Sequence, residues 1–367
     1  MDAPGPWGTG PFQLREGYSS IYNRAAFING SPLSLTWLTT EEDRTPYVCL
    51  QANKYYWNDE RLPQLHEVIF RNDLSKDEAI DNCMYTEGEV DLVTELPLSR
   101  ADEVQQSPFA KLVKAKGNAV LTGVFNRNYE VLNERALRLA LNYAVSKEDL
   151  IQTCFNGYAD IVPALTPPWA VDFPTGLPAR EFDQAKAQYW LEQSAWQEED
   201  VFTIATFNQF EDSAIFISRS LQQTLGMHVE LYVIPDHEEL KWRHILAEKK
   251  LPPYYHLFLL DVSALFLEGT PAFFHREIFG DDGMYRVGPK IPGFTKLYNS
   301  FERETNQDQF IEKAQALDRF VYEEALGLFL CSPNHLYAVN RHVNFVPYRT
   351  TLEFAETSVN RHHWSVT

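Results

Sequence analysis

The chain has 367 residues, 51 acidic against 32 basic side chains, and a formal net charge of −19. Such an acidic surface repels phosphate backbones and disfavours nucleic-acid binding. No apolar run approaches the roughly 18 residues of a membrane-crossing helix, no basic-then-apolar leader opens the chain, and four scattered cysteines (Cys49, Cys83, Cys154, Cys331) show no CxxC spacing. A zinc or redox motif is therefore set aside; buried thiols or one disulfide remain.

In chain order, the first signal is the corner Trp7-Gly8-Thr9-Gly10-Pro11-Phe12. Two glycines around Thr9 permit a tight turn, and Pro11 fixes φ on entry to a strand. Strand signals dominate to about residue 70, including the segment at 50–57 and the alternating run at 65–70. A helix is expected over 76–87, ended by Gly88, with a short strand after it and another over 121–126. Leu137, Leu141 and Ala144 recur at helical spacing, so 133–145 reads as a helix capped by Asn133. A second helix, 147–155, stops at Asn156-Gly157.

Between 161 and 178 stand Pro163, Pro167, Pro168, Pro174 and Pro178. That density of missing N–H donors excludes a regular element and marks a crossing between domains. Beyond it helices and strands alternate: helix 183–193, strand 201–207, helix 212–225, strand 228–234, helix 237–249 and strand 256–262. A long helix at 307–324, an apolar run at 326–331 and a strand at 336–340 follow. Strand-helix alternation predicts an α/β layer with crossover connections.

Five local patterns in this order resemble the extracellular solute-binding proteins of family 5, which serve dipeptide, oligopeptide and nickel ABC transporters. Gly8-Thr9-Gly10-Pro11-Phe12 resembles the family's GTGPY corner, and Ala52-Asn53-Lys54-Tyr55-Tyr56-Trp57 its NPxYW segment. Gly88-Glu89-Val90-Asp91 matches GEVD, the run 138–145 resembles RxALxYAI, and Gly157-Tyr158-Ala159 matches GYA. The resemblance implies a type II periplasmic-binding-protein-like α/β fold, with two lobes joined by a hinge. Residues 1–162 are expected to form a first lobe completed by 335–367, with 163–178 the proline-rich crossing and 179–334 the second α/β lobe. In the family the corner follows a long N-terminal part, so with seven residues before it the first lobe is expected to be incomplete. The stretch 15–48 is longer than the family's usual connection. Tyr55, Tyr56 and Trp57 read as core or lobe-packing aromatics.

Enzyme signatures are absent: no GxSxG, P-loop, GxGxxG or HExxH pattern occurs. His237-Glu238-Glu239 with His244 reads as a solvated helix face, His362-His363 as an exposed tail, and Asp281-Asp282-Gly283 as a turn. No metal or cofactor is expected.

A ligand is expected between the lobes, near the carboxyl ends of the second-lobe strands, where α/β sheets place ligands. That geometry selects Phe207, Asn208 and Asp261, with Trp169 at the crossing. Many family members carry a WGADYPDP-like stretch whose acidic residue meets a ligand's amino group. Here 260–269 offers Asp261 and Glu268, neither in register with it.

The expected function is non-catalytic: hinge closure, about crossings near 163–170 and 333–347, over a small peptide-like or metal-chelate solute for ABC-type uptake. The resemblance implies an ABC permease as partner and a periplasmic or cell-surface location, without membrane insertion; a native start at Met1 would instead mean the cytoplasm. The alternative is a reduced solute-binding fold serving as a protein-interaction or regulatory subunit.

Overall fold

The computed structural model describes residues 9–27, 35–86, 88–238, 241–242, 245, 254–263, 272–283, 285–348 and 352–366. It divides into two compact units: Met1–Ala115 with His335–Thr367, and Lys116–Asn334.

The first unit starts with β1 (Phe12–Glu16), β2 (Ser19–Phe27), β3 (Leu35–Arg44), β4 (Tyr47–Ala52) and β5 (Glu67–Arg71). β4 lies between β1 and β5 in an antiparallel sheet, and β2 pairs with β3, so a hairpin fills most of the long 15–48 stretch. The corner is tied down by the second motif. Asn53 is buried; its Nδ2 donates to the Gly10 carbonyl at 3.2 Å, and its backbone N donates to the Pro11 carbonyl at 2.8 Å. Of the aromatics after it, Tyr56 is half-buried, while Tyr55 is 90% and Trp57 71% exposed, with the Trp57 indole N–H on the Thr9 carbonyl at 3.1 Å. The expectation of core packing is corrected for Tyr55 and Trp57, because the polar Asn53 is the residue that enters the fold.

The helix Lys76–Tyr85 starts at a capping box between Ser75 and Glu78. β6 (Leu92–Val93) and β7 (Ala110–Ala115) follow. The helix Ala101–Gln106 between them has too short an apolar pattern to stand out in the sequence.

The second unit is built on one six-stranded sheet of β8 (Ala119–Phe125), β9 (Ala159–Ile161), β10 (Val201–Phe207), β11 (His228–Ile234), β12 (Leu257–Ser263) and β13 (Gly327–Pro333). Their spatial order is β11-β10-β12-β8-β13-β9. β11, β10 and β12 run parallel, and the remaining pairs are antiparallel. Strand alternation feeds two cores. On β12, Phe258, Leu260 and Val262 face the helices Phe294–Glu302 and Gln307–Glu323, while Leu257 and Leu259 face Arg135–Tyr143, Lys147–Phe155 and Glu211–Leu225. Each such side chain stabilises the fold by about 1.5–3 kcal/mol when buried.

Two expectations about organisation are corrected. The division falls at Ala115/Lys116, not at 162, because β8 sits inside the second unit's sheet between β12 and β13. The stretch 163–178 is therefore no crossing: it lies inside the second unit, with Val162, Ala164 and Leu165 in the core beside Phe258. Prolines exclude a hydrogen-bonded ladder, but they do not prevent burial. The Arg135–Tyr143 helix is preceded by Glu134 rather than capped by Asn133, whose carbonyl accepts from Arg138 Nη1 at 2.8 Å. Much of the expected helix 237–249, including Glu239 and His244, lies outside the described residues.

The chain re-enters the first unit at His335, in β14 (His335–Asn340) between β6 and β7. β15 (Val343–Asn344) and β16 (Ser358–Val359) pair beyond it. His363 is not in an exposed tail: it is buried, with Nε2 3.0 Å from Asp91 Oδ1.

Candidate functional site

β10 and β11 end together because their register is parallel, with Phe207 level with Ile234, and β12, whose Leu259 is level with Thr206, runs on to Ser263 at the same edge. The buried Thr206 hydroxyl donates to the Leu259 carbonyl at 3.0 Å, pinning β10 to β12 just below that edge. Polar residues take over where the apolar runs stop. Asn208 begins a 3-10 turn directly after β10, and Asp236 begins another two residues after β11. The Asn208 Nδ2 donates to Asp236 Oδ2 at 3.4 Å. Asp261 lies two residues beyond Leu259, exposed, in a strand still paired to Leu121 of β8.

An aromatic floor lies below this polar rim. Phe207 is buried edge-on to Phe258, with ring centroids 5.4 Å apart. Phe258 in turn stacks on the buried Trp242 at 6.3 Å, and Trp242 meets Tyr232 of β11 at 5.6 Å. Large rings make a stiff platform with little rotamer freedom, so the rim residues stand on a fixed base.

The same sheet edge is where the chain enters and leaves the second unit. β8 runs opposite to β12, so its first residue, Ala119, is level with Ser263. β13 runs opposite to β8 and ends at Pro333, beside the entering strand. The two passing segments touch at Gly117. A Cβ there would lie 1.8 Å from the Pro333 carbonyl oxygen, and Ser332 Oγ donates to the Gly117 carbonyl at 3.3 Å. Entry at Lys116 and exit at Asn334 thus flank the edge that carries Asp261.

Among the residues selected from sequence, Phe207, Asn208 and Asp261 share this edge, Phe207 as floor and the other two as rim. Trp169 is half-buried in the irregular stretch after the buried Leu165. Glu268 lies outside the described residues. Sequence reading missed Asp236, although its signal was available: it follows Pro235 at the end of an apolar strand, as Asn208 follows Phe207. The rim combines carboxylates with an amide, which suits a cationic or hydrogen-bonding ligand group. No cluster of three metal-ligating side chains occurs among the described residues.

Elsewhere in this unit, His256 sits between Tyr129 and Phe202, with ring centroids at 3.8 and 5.2 Å, and its Nδ1 accepts from Thr203 N at 3.1 Å. Burial lowers its pKa to about 4, so it is a neutral packing and acceptor group at pH 7.

The family model for bacterial extracellular solute-binding proteins, family 5 (Middle), matches residues 37–256. The nickel-binding periplasmic protein of Escherichia coli is 26% identical over 164 residues, which are 44% of this chain and 30% of that protein. The substrate-binding protein CtaP of Listeria monocytogenes superposes with a TM-score of 0.76 at 17% identity, covering 96% of this chain and 67% of that one. The oligopeptide-binding protein AppA of Bacillus subtilis, solved with a nonapeptide, superposes at 0.62 and 17% identity over 96% of this chain and 66% of that one. At these identities the superpositions establish the two-lobe type II fold and nothing finer.

Proposed function

The chain belongs to the bacterial extracellular solute-binding proteins, family 5, and from that premise we propose that it is a non-catalytic receptor closing its two units over a small peptide-like or metal-chelate solute for ABC-type uptake. The supporting observation is the shared sheet edge of the second unit: Asn208, Asp236 and Asp261 stand where both connecting segments enter. A ligand held there would bias the rotation of one unit about two adjacent strands, and closure follows when it binds the closed state more tightly. Nickel binding is the named property of one relative and peptide binding that of one solved neighbour, which supports those two solute classes. On this reading the protein works outside the cytoplasm and delivers its solute to an ABC permease.

Asp261 is the ligand's ionic partner in this proposal, Asn208 and Asp236 are hydrogen-bonding neighbours, and Phe207 is the apolar floor. The test is calorimetric titration with peptide and nickel-chelate libraries, with small-angle scattering for compaction. A saturable ligand that compacts the protein, and binds about tenfold or more weakly to Asp261→Asn, is the expected result. A stable protein partner without any ligand response would overturn it in favour of an interaction subunit.

A further inference from the structure

We propose that the crevice at the carboxyl end of β8 is an anion site that takes one chloride-sized ion on Arg127. Arg127 follows β8 by two residues and is only 9% exposed. One guanidinium nitrogen, Nη1, donates to the Pro289 carbonyl at 3.2 Å, while the buried Nε–H has no acceptor. No carboxylate among the described residues acts on this side chain; the charges that do are cations, Arg286 and Arg138. A buried charge without a counter-charge is strongly destabilising.

The neighbouring cations give no relief. Arg286 donates from Nε and Nη2 to the Asp281 carbonyl at 3.1 and 2.8 Å, and from Nη1 to the Gly288 carbonyl. Arg138, whose pKa falls to about 10 through burial and then the Arg127 charge, is held by the carbonyls of Leu132, Asn133, Glu324 and Ala325 at 2.8–3.0 Å. Carbonyl dipoles satisfy these donors and the Glu324 carboxylate acts on Arg138, but neither brings a counter-charge from the described residues to Arg127.

Arg127 also cannot leave. Its backbone N donates to the Val287 carbonyl at 3.1 Å, and Gly288, at φ +105°, packs so closely that a Cβ there would sit 2.6 Å from the Arg127 Cβ. Between Arg127 and Arg286 the crevice has room for one water-sized species, and its remaining wall includes Phe125, Ile278, Phe279, Val287, Ile291 and Leu326. The two arginines are the only lining residues with polar side chains, and guanidinium groups are donors alone, so a water there would find no side-chain acceptor for its own protons. A halide accepts from donors alone and supplies the missing charge.

The experiment is thermal unfolding of the full chain at constant pH and ionic strength in sodium chloride, bromide or gluconate, the last too large to enter. The expected result is a saturable rise of a few degrees in chloride and bromide over gluconate, absent in Arg127→Gln. Bromide-soaked crystals of the unsubstituted protein are expected to show an anomalous peak within hydrogen-bonding reach of Arg127 Nε, a readout independent of whether the variant folds. Superposable melts in halide and gluconate, or a crevice without bromide, would overturn the proposal.

Discussion

Asn53 donates from Nδ2 to the carbonyl of Gly10, 3.2 Å away, across 43 residues of sequence. Its Oδ1 accepts from Tyr55 N at 3.0 Å and from Gln13 Nε2 at 3.1 Å. One amide therefore closes the glycine-proline corner, holds the turn after β4 and braces β1. The contact joins the two motifs within this chain, the second anchoring the first.

Asn53→Ala is expected to destabilise the protein by about 1–3 kcal/mol, since it leaves the Gly10 carbonyl and Tyr55 N–H without their partner. Hydrogen exchange should localise the loss to the corner and β1. A variant with unchanged protection at residues 12–16 would contradict this account.

Asp91 Oδ1 lies 3.0 Å from each of Asn340 Nδ2, His363 Nε2 and Trp364 Nε1, and so ties the C-terminal segment to the strand that re-enters the first unit. Asp91→Ala is expected to cost about 1–3 kcal/mol and to release residues 360–366. Limited proteolysis should then cut that segment well before the rest of the chain. Equal cleavage rates in variant and parent would argue against the latch.

Gly117 admits the Pro333 carbonyl where even a methyl group would collide, at 1.8 Å. Gly117→Ala must push the entering and leaving segments apart, with a stability loss of roughly 1–3 kcal/mol. Because closure turns about these two segments in the proposed function, ligand-induced compaction should weaken as well. A variant with parental melting and parental compaction would show that the close approach is dispensable.

His256 sets a pH dependence. Its folded pKa of about 4 lies below the ordinary 6.5, so below pH 6.5 the unfolded chain binds a proton that the folded one refuses. The His256 contribution is intact above pH 6.5 and is lost as pH falls towards 4, by roughly 2–3 kcal/mol. Denaturation midpoints between pH 7 and 4 measure it. His256→Phe should flatten that part of the profile, and an unchanged slope would point to other groups.

Local pattern made much of the second unit legible. The strands expected at 201–207 and 228–234 coincide with β10 and β11, and the helix expected at 212–225 differs from Glu211–Leu225 by one residue. These segments carry their period in adjacent residues, so neighbours in sequence suffice to read them. The candidate edge was half legible for the same reason: Asn208 and Asp261 are polar residues at the ends of apolar runs, whereas Asp236 acquires meaning only beside Asn208.

The amino-acid sequence by itself determined the family and the alternation of helices and strands. The tertiary structure alone decided that β8 belongs between β12 and β13, that the boundary falls at Ala115/Lys116, and that Arg127 is buried beside Arg286 with no carboxylate of the described residues acting on it. Strand pairing and charge environment join residues far apart in the chain. Their energies arise from packing and desolvation that no local window contains.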